Sequence, residues 1–240
     1  MAKFSTTKAA EQKFAKDLRK VARVVGGIVQ AHVDGASIRN NKALAEALKT
    51  YSESLGPWAS KVVNEMLKSV SATNKRAWES SSLKVGQTMR SMMAETAIGS
   101  ASKLIHNRQV ELIKSLPIEA GLRAQELAQQ AAMGGKRASE VAEELARTEE
   151  VTASRATLIA RTEIAKANAA ITQARAEYVG ATHYIWRTAE DGDVRGSHAK
   201  MDGSVHRFDQ PPTLEDGMTG NPGEFPNCRC FAEPIIPGAD

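Results

Sequence analysis

The sequence predicts an α+β protein. An elongated, mainly helical N-terminal region is followed by a small domain in which a long helix packs on a short antiparallel sheet. Three observations carry this. Apolar residues recur at spacings of 3 and 4 through most of the first 180 residues. Only Pro57 and Pro117 precede residue 210, and the other six prolines follow it. After Gly180 the pattern changes to alternation, as in "THYIWRT". We therefore divide the chain into a basic helical region, residues 1–133, and a C-terminal domain, residues 134–240.

The elements follow in order. Phe14, Leu18, Val21, Val25 and Ile28 form one stripe on a first helix, with Lys13, Lys16, Arg19, Lys20 and Arg23 largely off it. Gly26-Gly27 is expected to weaken or bend that helix near its end. Leu44, Leu48, Tyr51 and Leu55 mark a second helix. Gly56-Pro57 breaks it and opens a third, lined by Trp58, Val62 and Met66. Residues 71–103 are Ser-, Thr- and Met-rich and weakly patterned, and read as helical. A further helix through Leu104, Ile105, Leu112 and Leu116 is expected to stop before Pro117. A Gly134-Gly135 turn leads to a short helix with Ser139 as N-cap. A long helix then spans roughly residues 152–179 and ends at Gly180. Three short strands follow, around "THYIWRT", "GSVHRF" and "NCRCFAEP", with an Asp202-Gly203 turn before the second. Tyr184 and Trp186 share one face of the first strand and read as one core anchor and one edge residue. About 18 residues without periodicity separate the second strand from the third, and a loop of that length is usually functional or disordered.

The chain has 240 residues and a formal net charge of +4, unevenly spread. Residues 1–110 hold 18 Lys and Arg against 8 Asp and Glu, a balance of +10; the remainder holds 14 against 20, a balance of −6. The basic front half suits packaged double-stranded DNA, bound without sequence preference through Lys13, Lys16, Arg19, Lys20 and Arg23. The alternatives from charge are an acidic protein partner and a merely solvated helical face. No apolar run is long enough to span a membrane, and the first 20 residues do not read as a secretory signal. Synthesis in a reducing cytoplasm is expected, where a disulfide between Cys228 and Cys230 is disfavoured by compartment and by spacing.

Those two cysteines pose the sharpest question. In an extended segment Cys228, Cys230 and Ala232 share a face. His198 can supply a third metal ligand, and Asp202, one helical turn on, a fourth; His206 is a spare. Zinc takes four such ligands. The alternative is a pair of small buried thiols packed as hydrophobes.

Three segments stand in a telling order: "IARTEIAKANAA" on the long helix, "DGDVRGSHAKMDGSV" after the first strand, and "PGEFPNCRC" near the end. The Asp-x-Arg-x-x-His-x-x-x-Asp-Gly pattern followed by Asn-Cys-Arg-Cys is the specific part. Together these resemble the C-terminal domain of the phage head morphogenesis, or Mu F-like, minor head proteins, over roughly residues 134–236. The resemblance implies a virion protein inside the phage head. It implies few copies, contact with portal or capsid proteins, and a part in DNA packaging or delivery. It implies a structural role for Arg161, Glu163, Asp193, Arg195 and Gly203: Glu163 anchors the Arg195 loop, or Arg161 pairs with Asp193 or Asp202. Some relatives carry Cys-x-x-Cys where this chain has Arg195 and His198, and a His where it has Phe225. Of those soft ligands this chain keeps at most His198, Cys228 and Cys230.

The competing reading is an enzyme carried in the head that processes nucleotides or phosphodiesters. His198 would be its base, Glu163 the partner, Arg195 a phosphate clamp, with a cysteine as possible nucleophile. No P-loop, other Gly-rich phosphate loop or His-Glu-x-x-His motif accompanies them, and the expectation is a non-enzyme.

Overall fold

A computed structural model describes residue 4 and residues 8–81, 99–189 and 192–237. Its elements are α1 (Lys8–His32), β1 (Val33–Asp34), β2 (Ser37–Ile38), α2 (Asn41–Ser54), α3 (Gly56–Ser81), α4 (Gly99–Ala132), α5 (Ala138–Ala146), α6 (Thr148–Tyr178), β3 (His183–Arg187), α7 (Gly196–Ala199), β4 (Val205–Arg207) and β5 (Phe231–Pro234). A helical N-terminal region thus precedes a part that contains a sheet, as the α+β reading requires. The weakly patterned stretch 71–103 is helical at 71–81 and 99–103; the rest of it lies outside the described residues.

The chain forms two compact units. One comprises Met1–Gln12, Asn64–His106 and Arg161–Asp240; the other comprises Lys13–Val63 and Asn107–Ala160. Both take segments from either side of residue 134.

The second unit is helical apart from the hairpin β1–β2, which turns on Gly35-Ala36 with Gly35 at φ 58°. Phe14, Leu18, Val21 and Val25 are buried as the α1 stripe predicts, but Val29 takes the place expected for Ile28. Gly26-Gly27 does not end α1. A Cβ on Gly26 would lie 2.7 Å from the Glu149 Cβ, so the glycine permits a close helix approach. The Asn40 side chain caps α2 by accepting from the Ala43 N–H at 3.0 Å. Pro117 lies inside α4 rather than beyond its end. Ile113, Leu116, Ala120 and Ala124 are buried on both sides of it, and that packing outweighs the roughly 3 kcal/mol a mid-helix proline costs. Ser139 does not cap α5; Arg137 occupies the N-cap, without a side-chain bond.

The first unit holds the sheet, of order β4–β3–β5 with both pairings antiparallel. Leu104, read from sequence as a core position, is 75% exposed. Tyr184 and Trp186 are both fully buried, so neither is an edge residue. Their face of β3 builds a core with Phe208, Leu214, Phe225, Cys228, Cys230 and Ala232, joined by Ala176 of α6 and Trp78 of α3. Phe4 meets Trp78 edge-on at 5.3 Å, and its carbonyl accepts from Asn168 at 2.6 Å. The helix α6 stops where expected. Gly180 is left-handed at φ 74°, and the Ala181 and Gly180 N–H groups close back on the Ala176 and Glu177 carbonyls at 2.8 and 3.1 Å. This paired closure satisfies carbonyls that a helix end otherwise leaves open.

Candidate metal centre

Two loops converge beneath Trp186. The first runs from Asp193 through α7 to Gly203. The His198 and Ala199 N–H groups donate to the Arg195 carbonyl at 3.0 and 2.9 Å, which winds one turn and buries His198. The Asp202 carboxylate accepts from the Thr188 N–H at 2.7 Å. Gly203, left-handed at φ 79°, donates to the Trp186 carbonyl at 2.9 Å. The C-terminal end of the loop is thereby sewn to β3 and the residue after it.

The second loop carries the cysteines. Asn227 adopts φ 58°, which asparagine tolerates better than most residues. Its N–H donates to Thr162 Oγ1 at 2.9 Å, and its side-chain oxygen accepts from Arg161 at 2.9 Å. Cys228 and Cys230 precede β5 rather than lying on it. Burial nevertheless alternates from Cys228 to Pro234, so both thiols and Ala232 face inward as the alternation predicts.

The loops are tied at three points. Arg195 donates to the Pro226 carbonyl at 2.7 Å, and Arg229 meets Asp193 at 2.9 Å. At the centre, His198 Nδ1 lies 3.4 Å from Cys228 Sγ and 3.5 Å from Cys230 Sγ. Ligand atoms of these three residues all lie within 4.8 Å of one another. Exposures of 2, 4 and 6% put the group out of bulk solvent. The Cys230 thiol hydrogen-bonds Cys228, which holds Cys228 low and, with burial, pushes Cys230 up.

The spacing fits zinc. Tetrahedral bonds of about 2.3 Å to sulfur and about 2.0–2.1 Å to nitrogen place N and S about 3.6 Å apart, close to both distances here. Phe225 meets His198 ring to ring at 5.0 Å and packs against the site. His198 Nε2 is buried with no partner among the described residues.

Other expected roles move. Asp202 is not brought into the group, because its carboxylate holds the Thr188 N–H. His206 bonds Ser204 at 2.7 Å instead. Arg161 pairs with neither Asp193 nor Asp202; it donates to Glu11 at 3.0 Å and to Asn227. Glu163 is buried on α6 with Lys166 at 3.6 Å, and Arg195 is held by Pro226. A cavity beside the group is lined by His198 and Arg195 but not by Glu163, so the three groups of the enzyme reading do not share it. Tyr184 and Trp186 lie in the core, and Tyr184 donates to Asn221 at 2.8 Å. Lys13, Lys16, Arg19, Lys20 and Arg23 are all exposed on α1. Sequence reasoning missed Asn227 and Thr162, which bond the cysteine loop to α6, and Glu11, which accepts from Arg161. An asparagine directly before Cys-x-Cys was the available signal.

Gly223 sits where the long loop crosses α6. It has φ 93°, and a Cβ there would lie 3.2 Å from the Ala165 and Cys230 carbonyl oxygens and 3.3 Å from the Ala169 Cβ. Gly223→Ala is expected to destabilise the protein by about 2–4 kcal/mol, from left-handed strain plus overpacking. Gly217, at φ 81° with nothing near its Cβ position, provides the strain-only control. Equal losses for the two variants in denaturant unfolding would show that the close approach contributes nothing.

Fold and site define a helical protein whose small terminal sheet is locked by two loops around a buried Cys-Cys-His group. Residues 123–233 match the family described as Phage Mu protein F like protein. The C-terminal region is therefore Mu F-like, as its motifs implied. A stretch of 58 residues is 38% identical to an uncharacterized protein of Haemophilus influenzae, covering 24% of this chain and 12% of that one. No solved structure matches the chain.

Proposed function

We propose that this protein is a minor head protein of a tailed bacteriophage, made in the host cytoplasm and carried inside the virion. It acts in head assembly and in DNA packaging or delivery near the portal, with portal or capsid proteins as partners. The observation that carries this is the family match over residues 123–233, which takes in both loops of the site. In this reading residues 134–240 are the head-morphogenesis portion and residues 1–133 the basic helical portion, whose α1 cations meet packaged DNA. Among the described residues no helix is long and apolar enough to cross a membrane.

The Cys-Cys-His group has a structural task here, not a catalytic one. Zinc held by His198, Cys228 and Cys230 fixes the cysteine loop to the α7 loop across the long segment between them. Arg195, Asp193, Arg161 and Gly203 support the same junction from outside.

Heads assembled with and without the protein test the role. Loss of portal or minor components, of DNA content, or of infectivity is expected without it. Normal, infectious, full heads lacking the protein would sink the reading.

A further inference from the structure

Resting on the metal reading above, we propose that the metal's fourth position is filled from outside the chain, by one oxygen of an oxyanion. Three observations carry this. First, among the described residues only His198, Cys228 and Cys230 offer ligand atoms to the group. The neighbouring carboxylates are engaged: Asp202 holds the Thr188 N–H and Asp193 holds Arg229. Second, the group borders a cavity of about 20 Å³, lined also by Asp193, Arg195 and Arg229. That volume accommodates about one water-sized atom. Third, the charge favours an anion. Zinc, two thiolates and a neutral imidazole sum to zero. An added oxyanion would carry its charge into a cavity flanked by two guanidiniums and one carboxylate, and arginine suits oxyanion geometry.

Ligation releases the thiol protons to solvent, and the fourth ligand exchanges without redox change. A cation with three protein ligands and one exchangeable site is open in the sense that zinc sites with a bound water are open. The lining fixes the ligand class as a monodentate oxyanion, from a phosphate group or a carboxylate.

Cobalt(II) replacing zinc in the full-length protein reads this out. A thiolate-to-cobalt charge-transfer band, lost in Cys228→Ser, reports the metal itself; its absence would overturn the metal reading, separately from the present one. With cobalt bound, inorganic phosphate and acetate are titrated against the ligand-field bands. A saturable shift with either supports the open position, and the tighter of the two identifies the source as phosphate or carboxylate. Arg195→Gln is expected to raise the half-saturating concentration about tenfold, the loss of one charge-assisted bond. Bands that neither anion moves overturn the proposal. So does loss of the tetrahedral spectrum in Glu190→Gln, Asp191→Asn or Asp193→Asn, because a carboxylate of the chain then holds that position.

Discussion

Freshly purified full-length protein is expected to carry about one equivalent of zinc, and Cys228→Ser to carry almost none. His198 Nδ1 already lies near tetrahedral spacing from each sulfur, at 3.4 and 3.5 Å, so folding and metal binding favour the same arrangement. In small domains that depend wholly on such a site, zinc contributes about 10–16 kcal/mol of apparent binding free energy. Here Trp186, Tyr184, Phe208 and Phe225 already supply a core, so the share seen as stability is smaller. Chelator should still lower the melting temperature and loosen the loops before the helices. The sign with pH follows from competition between metal and protons. The thiols and imidazole bind metal only when deprotonated, so metal is held at neutral pH and released as the pH falls. If the thiols are only packed, Cys228→Ala and Cys230→Ala each lose about 1–2 kcal/mol, and chelator does nothing. Elemental analysis with parallel unfolding curves separates the outcomes. Rapid alkylation of both thiols in the native protein would contradict their burial and remove either account.

Binding to double-stranded DNA should be steep in salt. Lys13, Lys16, Arg19, Lys20 and Arg23 are exposed along α1. Lys20 also touches Asp17 at 2.6 Å, and Arg19 donates to Thr157 at 3.4 Å. Such surface contacts are worth at most about 1 kcal/mol and yield readily to phosphate. If five cations each meet one phosphate, affinity falls with roughly the 4.5 power of salt concentration, several hundredfold between about 50 and 200 mM. Reversing Lys13, Lys16 and Lys20 to glutamate should flatten the slope, with little dependence on DNA sequence. The full chain is required, because residues 1–110 alone would leave both compact units incomplete. No binding at low salt, or a flat response, would reject the DNA reading and leave an acidic protein as partner of this face.

Local patterns were legible in the sequence where one residue's burial follows from its neighbours. The α1 stripe, the left-handed stop at Gly180 and the shared inward face of Cys228, Cys230 and Ala232 are of this kind. Long-range pairings were not. Arg161 meets Glu11, 150 residues away, and Asn227 meets Thr162, 65 residues away. Nothing in local spacing selects those partners over Asp193 or Asp202, which looked equally suitable. Pro117 misled because its local penalty is fixed while the burial around it is tertiary. Leu104 misled because it keeps the helical pattern with Leu112 although no neighbour among the described residues covers it. At the site, three of the four expected ligands converge. Asp202 drops out because a carboxylate beside a turn had a second, closer use in capping a backbone N–H.

The interleaving of the two compact units constrains how the protein is made. On the ribosome, Lys13–Val63 emerges long before its complement Asn107–Ala160, and Asn64–His106 must wait for Arg161–Asp240. Neither unit can close while its early segments are the only ones outside the exit tunnel. The nascent chain therefore holds apolar helix faces open through most of elongation, and a prematurely released fragment is a substrate for chaperones or proteases.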